Sequence, residues 1–206
     1  SQQKETIAGQ FSKRSDQHAA GRGIEHRPAA GCTGVSHVLP RSERNLYLIC
    51  EYCNGGSLDR TIKKERRLSE REALRIFGDI VKGFKCLHQN NIVHRDLKPA
   101  NILLHNGIAK VGDFGFSKLI DDHDQMLTSL VGTPQYMSPQ ILSNCNYTEK
   151  TDIWSLGIIL FEMLFGRVPW DTSSKDIDSV VKYIRNCSAV PIPEVPKISK
   201  NTVSLL

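Results

Sequence analysis

The stretch from Ile92 to Gly115 leaves this chain few ways to fold. Two short apolar runs, Ile102 to Leu104 and Ile108 to Val111, flank Asn106-Gly107, a dipeptide that takes the positive φ angles of a type I′ turn. The spacing predicts a β-hairpin in which Asn101 faces Gly112 and lies beside Asp113, so two oxygen-bearing side chains meet at its open end. Asp96 and Lys98 precede the hairpin on a loop that Pro99 holds extended, because a proline steers the residue before it out of helical geometry. A base, a cation and two hard oxygen ligands can therefore share one small volume, and magnesium favours such oxygens.

The two ends of this unit read His94-Arg95-Asp96-Leu97-Lys98-Pro99-Ala100-Asn101 and Asp113-Phe114-Gly115. Complete, in this order and joined by a hairpin, they resemble the H-R-D-L-x-x-x-N catalytic loop and the D-F-G metal loop of the protein kinases. The resemblance implies an α+β fold, protein-kinase-like, with a mainly helical large lobe carrying a short catalytic hairpin, and phosphoryl transfer from ATP with Mg²⁺. By it, Asp96 orients the substrate hydroxyl and accepts its proton, Lys98 neutralises the transferred phosphate, and Asn101 and Asp113 hold the metal. His94 is expected as a packed core residue rather than an acid or base, and Leu103 as the floor under adenine.

Residues 1–44 are polar, with scattered glycines and little apolar periodicity, and read as a divergent or disordered segment. In a kinase a G-x-G-x-x-G strand pair, a strand lysine and a helix glutamate belong before the hinge. Here Gly21-Arg22-Gly23 lacks the third glycine and has His26 in its place. The expected organisation is that segment followed by an incomplete kinase domain over 45–206, with the small lobe mostly missing. Leu46 to Tyr52 is β-prone and is broken by Asn54-Gly55-Gly56. It resembles the last small-lobe strand entering the hinge. That makes Cys50 the gatekeeper, assigns the backbone of Glu51 and Cys53 to adenine, and sets Ser57 as a helix N-cap near the ribose.

Ser69-Glu70-Arg71-Glu72 is a capping box, and Ala73, Ile76, Phe77, Ile80, Val81, Phe84 and Leu87 follow at helical spacing. Thr151 to Gly166 is apolar on nearly every face, which predicts a buried helix capped by Asp152 at its start and Gly166 at its end. By the resemblance, Asp152 also braces the catalytic loop. One more helix is expected over Asp176 to Asn186, a loop over Pro191 to Pro196, and the beginning of a helix from Ile198.

Lys118 to Ser129 is a polar segment, and Val131 to Gln140 follows. Where the family pattern ends in A-P-E, Ser138-Pro139-Gln140 puts an amide in place of the carboxylate. Gly132-Thr133-Pro134 and Lys98 resemble serine/threonine kinases rather than tyrosine kinases. Relative to Thr133, the resemblance places the main regulatory phosphosite at Ser129, with Thr128 beside it and Arg95 as the cation for the phosphate.

Net charge +5 raises nucleic acid as a ligand, but the basic residues are dispersed and no basic run interleaves with aromatics. The densest cluster, Lys63-Lys64-Glu65-Arg66-Arg67, reads as a solvated helix end. No apolar run approaches the ~20 residues of a membrane helix, and the N-terminus carries neither Met nor a signal core, so a start within a longer product is expected. Six scattered cysteines read as reduced thiols of a cytoplasmic protein. The implied function is a serine/threonine protein kinase catalytic region, weak or inactive as this chain stands, acting on a protein substrate under an upstream activating kinase. The alternative is a non-catalytic, pseudokinase-like binding module.

Overall fold

A computed structural model describes residues 31–32, 35–42, 45–120, 127–170, 177–187 and 189–206. Strands β1 (Val35–Ser42) and β2 (Asn45–Cys50) pair antiparallel, with register irregularities on either side of His37–Leu39. The loop expected before Asn45 therefore does not extend over Val35–Ser42. Its single-strand signal is weak and interrupted by Pro40, and the strand forms because β2 offers a ladder. Still earlier, buried Cys32 bridges Val111, and the Gly31 carbonyl accepts the Val111 N–H at 2.9 Å. Gly21 to His26 lies outside the described residues.

Helix α1 (Leu58–Glu65) buries Leu58 and Ile62. Helix α2 (Glu70–Gln89) starts as its capping box predicts, with the Ser69 side chain accepting the Glu72 N–H at 3.3 Å, and buries Ala73, Ile76, Ile80 and Leu87. Strand β3 (Ile92–Val93) follows, then a 3₁₀ turn over Pro99–Asn101. The hairpin of β4 (Ile102–His105) and β5 (Ile108–Val111) has the predicted register, Ile102 opposite Val111 and His105 opposite Ile108, and Asn106 and Gly107 take φ 50° and 79°. The polar segment from Lys118 begins as β6 (Lys118–Leu119), paired antiparallel with β3; a two-residue strand has no periodicity to read.

A second 3₁₀ turn, Pro134–Tyr136, and helix α3 (Pro139–Leu142) lead to α4 (Lys150–Phe165). Leu156, Ile159, Leu160, Met163 and Leu164 of α4 pack in one core with α1, α2 and the hairpin. Ile158 joins a second core with Val168, Trp170 and helix α5 (Ile177–Asn186). Thus α4 is the spine of both cores, as its all-round apolarity predicts, although Ile153 near its start is 54% exposed. Gly166 ends it at φ 73°. The N-cap is Glu149 rather than Asp152, and no side chain caps that end. Helix α6 (Lys200–Val203) comes last, with Ser199 accepting the Thr202 N–H and bonding Glu70 at the start of α2. Among the described residues no helix is long and apolar enough to cross a membrane.

Candidate active site

Asp152, buried in α4, fixes the catalytic loop. Its Oδ2 accepts the His94 N–H at 2.7 Å and its Oδ1 the Arg95 N–H at 3.0 Å. Burial pushes this carboxyl upward, while the two N–H donors and the Arg95 charge oppose the shift. Arg95 sits at φ 69°, a conformation that costs a non-glycine residue about 1–2 kcal/mol and persists only where surrounding bonds over-determine it. The His94 ring is buried. Its Nδ1 accepts the Asp96 N–H at 3.3 Å, so Nε2 carries the proton and donates to the Gly112 carbonyl at 3.0 Å. With both nitrogens occupied and Phe114 against its face at 5.4 Å, His94 is packed in the core as the sequence predicts.

Asp96 is the hub of the site. Its Oδ2 pairs with Lys98 Nζ at 2.8 Å and accepts Asn101 Nδ2 at 3.1 Å, while its Oδ1 accepts the Thr133 hydroxyl at 2.7 Å. Lys98 also donates to Thr133 Oγ1 at 2.7 Å. Thr133, expected on the regulatory side, thus has its hydroxyl on Asp96 and Lys98. Asn101 Nδ2 additionally donates to the Asp96 carbonyl at 2.8 Å, which commits the amide nitrogen to Asp96 and leaves the side-chain oxygen as the atom that could meet a cation. One residue past Gly112, whose N–H donates to the Asn101 carbonyl at 2.9 Å, Asp113 is exposed at φ 59°, with Gly115 N–H at 3.3 Å from Oδ1. An amide oxygen and an exposed carboxylate just past the open end of the hairpin are hard oxygens of the kind Mg²⁺ prefers.

The hinge is bound to the back of the hairpin. The Glu51 side chain pairs with Lys110, which stands opposite Leu103 in the ladder, and Leu103 in turn bridges Ser57. Gly55 N–H donates to the Leu104 carbonyl and Leu104 N–H to the Gly56 carbonyl, both at 2.8 Å. Glu51, Ser57 and Leu103 are therefore brought together. Cys53 is half-buried, with its thiol raised by desolvation and then by Glu51, whereas Cys50 is exposed. Ser57 occupies the N-cap position of α1, but its hydroxyl bonds Asp59 rather than a helix N–H: a carboxylate two residues on outcompetes the backbone donor.

Arg95 reaches the segment after the metal loop. Its Nε donates to the Phe116 carbonyl at 2.5 Å and its Nη1 to Ser129 Oγ at 2.7 Å, while Tyr147 donates to the Ser129 carbonyl at 2.7 Å. Thr128 is exposed beside it. Gln140, in place of the family glutamate, is exposed on α3, and the Arg185 guanidinium holds the end of that helix through the Leu142 carbonyl.

Two further polar contacts carried no motif signal. Tyr136 donates to Glu162 Oε2 at 2.7 Å, joining the 3₁₀ turn after Thr133 to α4. The Glu51–Lys110 pair likewise joins residues far apart in sequence. Only the Gly-Thr-Pro run hinted at Thr133.

Residues 35–206 match the family described as protein kinase domain. The serine/threonine-protein kinase atg1 of Dictyostelium discoideum is 44% identical over 133 residues, which cover 63% of this chain and 20% of that protein. ULK3 of Xenopus laevis is 37% identical over 164 residues, 78% of this chain and 34% of that protein. Nek4 of Mus musculus is 37% identical over 153 residues, 73% and 19%. The chain spans no more than 34% of the length of these relatives. With the hairpin, the Asp96 hub and the Asp152 brace in place, and a match over residues 35–206, this chain belongs to the protein kinase family.

Proposed function

We propose that this chain is the catalytic region of a serine/threonine protein kinase that moves the γ-phosphate of ATP to a protein serine or threonine hydroxyl. The observation that carries the reading is the coordination of Asp96. A carboxylate offers about four acceptor sites. Thr133, Lys98 and Asn101 take three of them, which leaves one on Oδ1 for a substrate hydroxyl. As that oxygen bonds the γ-phosphorus and the bond to the β-phosphate oxygen breaks, ADP leaves and the hydroxyl proton passes to Asp96. Lys98, already at the carboxylate, offsets the negative charge arriving on the phosphoryl oxygens. Asn101 and Asp113 would hold Mg²⁺, which when bound offsets charge on the nucleotide phosphates.

The backbone of Glu51 and Cys53 takes adenine above Leu103, with Cys50 as gatekeeper and Ser57 towards the ribose. Phosphorylation of Ser129, in preference to Thr128, by an upstream kinase orders the segment through Arg95. The substrate is a protein rather than nucleic acid, encountered in the cytoplasm.

The test compares Asp96→Asn and Asp113→Asn with the wild type in Mg-ATP phosphorylation and nucleotide-binding assays. Asp96→Asn is expected to lower turnover with Mg-nucleotide affinity kept, and Asp113→Asn to weaken that affinity and abolish transfer. Equal loss of affinity in both would remove Asp96 from its hydroxyl-orienting role. One sequence observation favours a second reading as a non-catalytic, pseudokinase-like module: residues 1–44 contain no G-x-G-x-x-G run. Partner binding with no transfer, unaltered by Asp96→Asn, would decide for it.

A further inference from the structure

The Gly31–Cys32 segment lies flat on α2. A side chain at Gly31 would stand 2.7 Å from the Gly83 Cα, so the two backbones touch, and Cys32 Sγ donates to the Gly83 carbonyl at 3.5 Å. A helical carbonyl points along the axis towards the N–H four residues on, which sets that sulfur over the turn carrying Cys86. Cys86 is three residues past Gly83, a spacing that keeps both on one face of the helix. Burial, and then the nearby Cys86 thiol, push the Cys32 thiol up to about 12. The two cysteines differ in access. Cys32 is 6% exposed, whereas Cys86 is half-buried beside exposed Asn90, whose Nδ2 stands 3.8 Å from its Sγ. Both are free thiols.

We infer that Cys32 and Cys86 form a reversible disulfide under a hydroperoxide, a redox latch that fastens the Gly31–Cys32 segment to α2. The sequence reading of reduced thiols describes the state before the oxidant arrives. The Cys86 sulfur attacks one peroxide oxygen, the O–O bond breaks and water leaves, so Cys86 is oxidised by two electrons to a sulfenic acid as the peroxide is reduced. The Cys32 sulfur then attacks the Cys86 sulfur, the S–O bond breaks, and the hydroxide leaves with the Cys32 proton as a second water. Burial keeps peroxide off Cys32, which fixes the order of the two steps. A thiol held protonated is a slow nucleophile, but well-oriented neighbouring groups react as if at about 10⁵ M or more. A dithiol reductant reverses the bond by exchange. The latch acts on the hairpin: Cys32 bridges Val111 and the Gly31 carbonyl accepts the Val111 N–H at 2.9 Å, so the segment is the neighbour of β5 two residues before Asp113. Closing so long a loop of chain also raises stability, chiefly by restricting the unfolded state.

The test treats the reduced full chain with hydrogen peroxide, blocks the remaining thiols with N-ethylmaleimide and maps tryptic peptides without reductant. Cleavage isolates each cysteine, Cys32 in residues 23–41 and Cys86 in residues 86–95. The two peptides are expected as one linked species that dithiothreitol separates. The oxidised chain should melt roughly 4–8 °C above the reduced chain, and its Val111 amide should exchange with deuterium about tenfold more slowly. That comparison of oxidised with reduced wild type needs no substitution. Cys32→Ser should remove both effects and leave a Cys86 sulfenic acid that dimedone traps, and Cys86→Ser should leave Cys32 a thiol under peroxide. Conversion of Cys86 to sulfinic acid in the wild type with Cys32 still a thiol, or linkage of either one to another cysteine in preference, would overturn the pair. The linked species with melting and Val111 exchange unchanged would overturn the latch.

Discussion

Ser129 accepts its hydrogen bond from a guanidinium whose backbone is itself held by Asp152, so a phosphate on that hydroxyl would arrive where a cation is already positioned. Ser129→Ala in the active protein is expected to lower activity roughly tenfold and to abolish its sensitivity to phosphatase; activity and sensitivity both unchanged would remove Ser129 from regulation. A second single-residue effect concerns Glu162, whose carboxyl is raised from 4.5 by burial, with the Tyr136 hydroxyl opposing and Asp59 adding to the shift. Because the folded state holds this proton more tightly than the unfolded state, stability falls as pH rises from about 4.5 towards the folded value. Glu162→Gln should flatten that part of the curve of Tm against pH. An unchanged slope in thermal melts would show that other groups set it.

Two glycines of α2 separate what an element needs for itself from what its neighbours impose. Gly78 is exposed in mid-helix with nothing within 4 Å of an added Cβ. Gly78→Ala should therefore stabilise by roughly 0.5–1 kcal/mol through propensity alone, a rise of about 2 °C in Tm. At Gly83 a Cβ would lie 2.9 Å from the Gly31 carbonyl carbon and 3.1 Å from a Val111 methyl. Gly83→Ala should push the Gly31–Cys32 segment off the helix, and the Val111 amide, which donates to Gly31, should exchange faster with deuterium. Unchanged protection there would mean that the segment yields without losing its bond. The helix itself was legible from its capping box and spacing. The need for Gly83 was not, since it arises from a segment read as loop.

For the whole molecule, Asp96, Lys98, Asn101 and Thr133 stand in one bonded set, yet residues 1–44 contain no G-x-G-x-x-G run of the kind that covers nucleotide phosphates. Alignment of the nucleotide is a large part of this catalysis. The chain as given is therefore expected to phosphorylate a generic basic protein roughly a hundredfold more slowly than a version extended upstream with such a loop and its strand lysine. Comparable turnover would show a nucleotide roof in residues 1–44. The local elements were determined by sequence alone: the type I′ hairpin and its register, α2 with its cap, the glycine stop of α4, and the identity of the loop carrying Asp96. Each rests on turn chemistry, periodicity or a contiguous motif, which act within a dozen or so residues. The tertiary structure decided what lies across distance. It denied Asp152 the helix cap and gave the expected brace its atoms, one carboxylate oxygen each for the His94 and Arg95 N–H groups; it put the Thr133 hydroxyl on Asp96, made β1 a strand by giving it a partner, and brought Arg167 to Arg66. Hydrogen bonds and charges between residues far apart in the chain depend on where packing sets two backbones, and no short-range pattern records that.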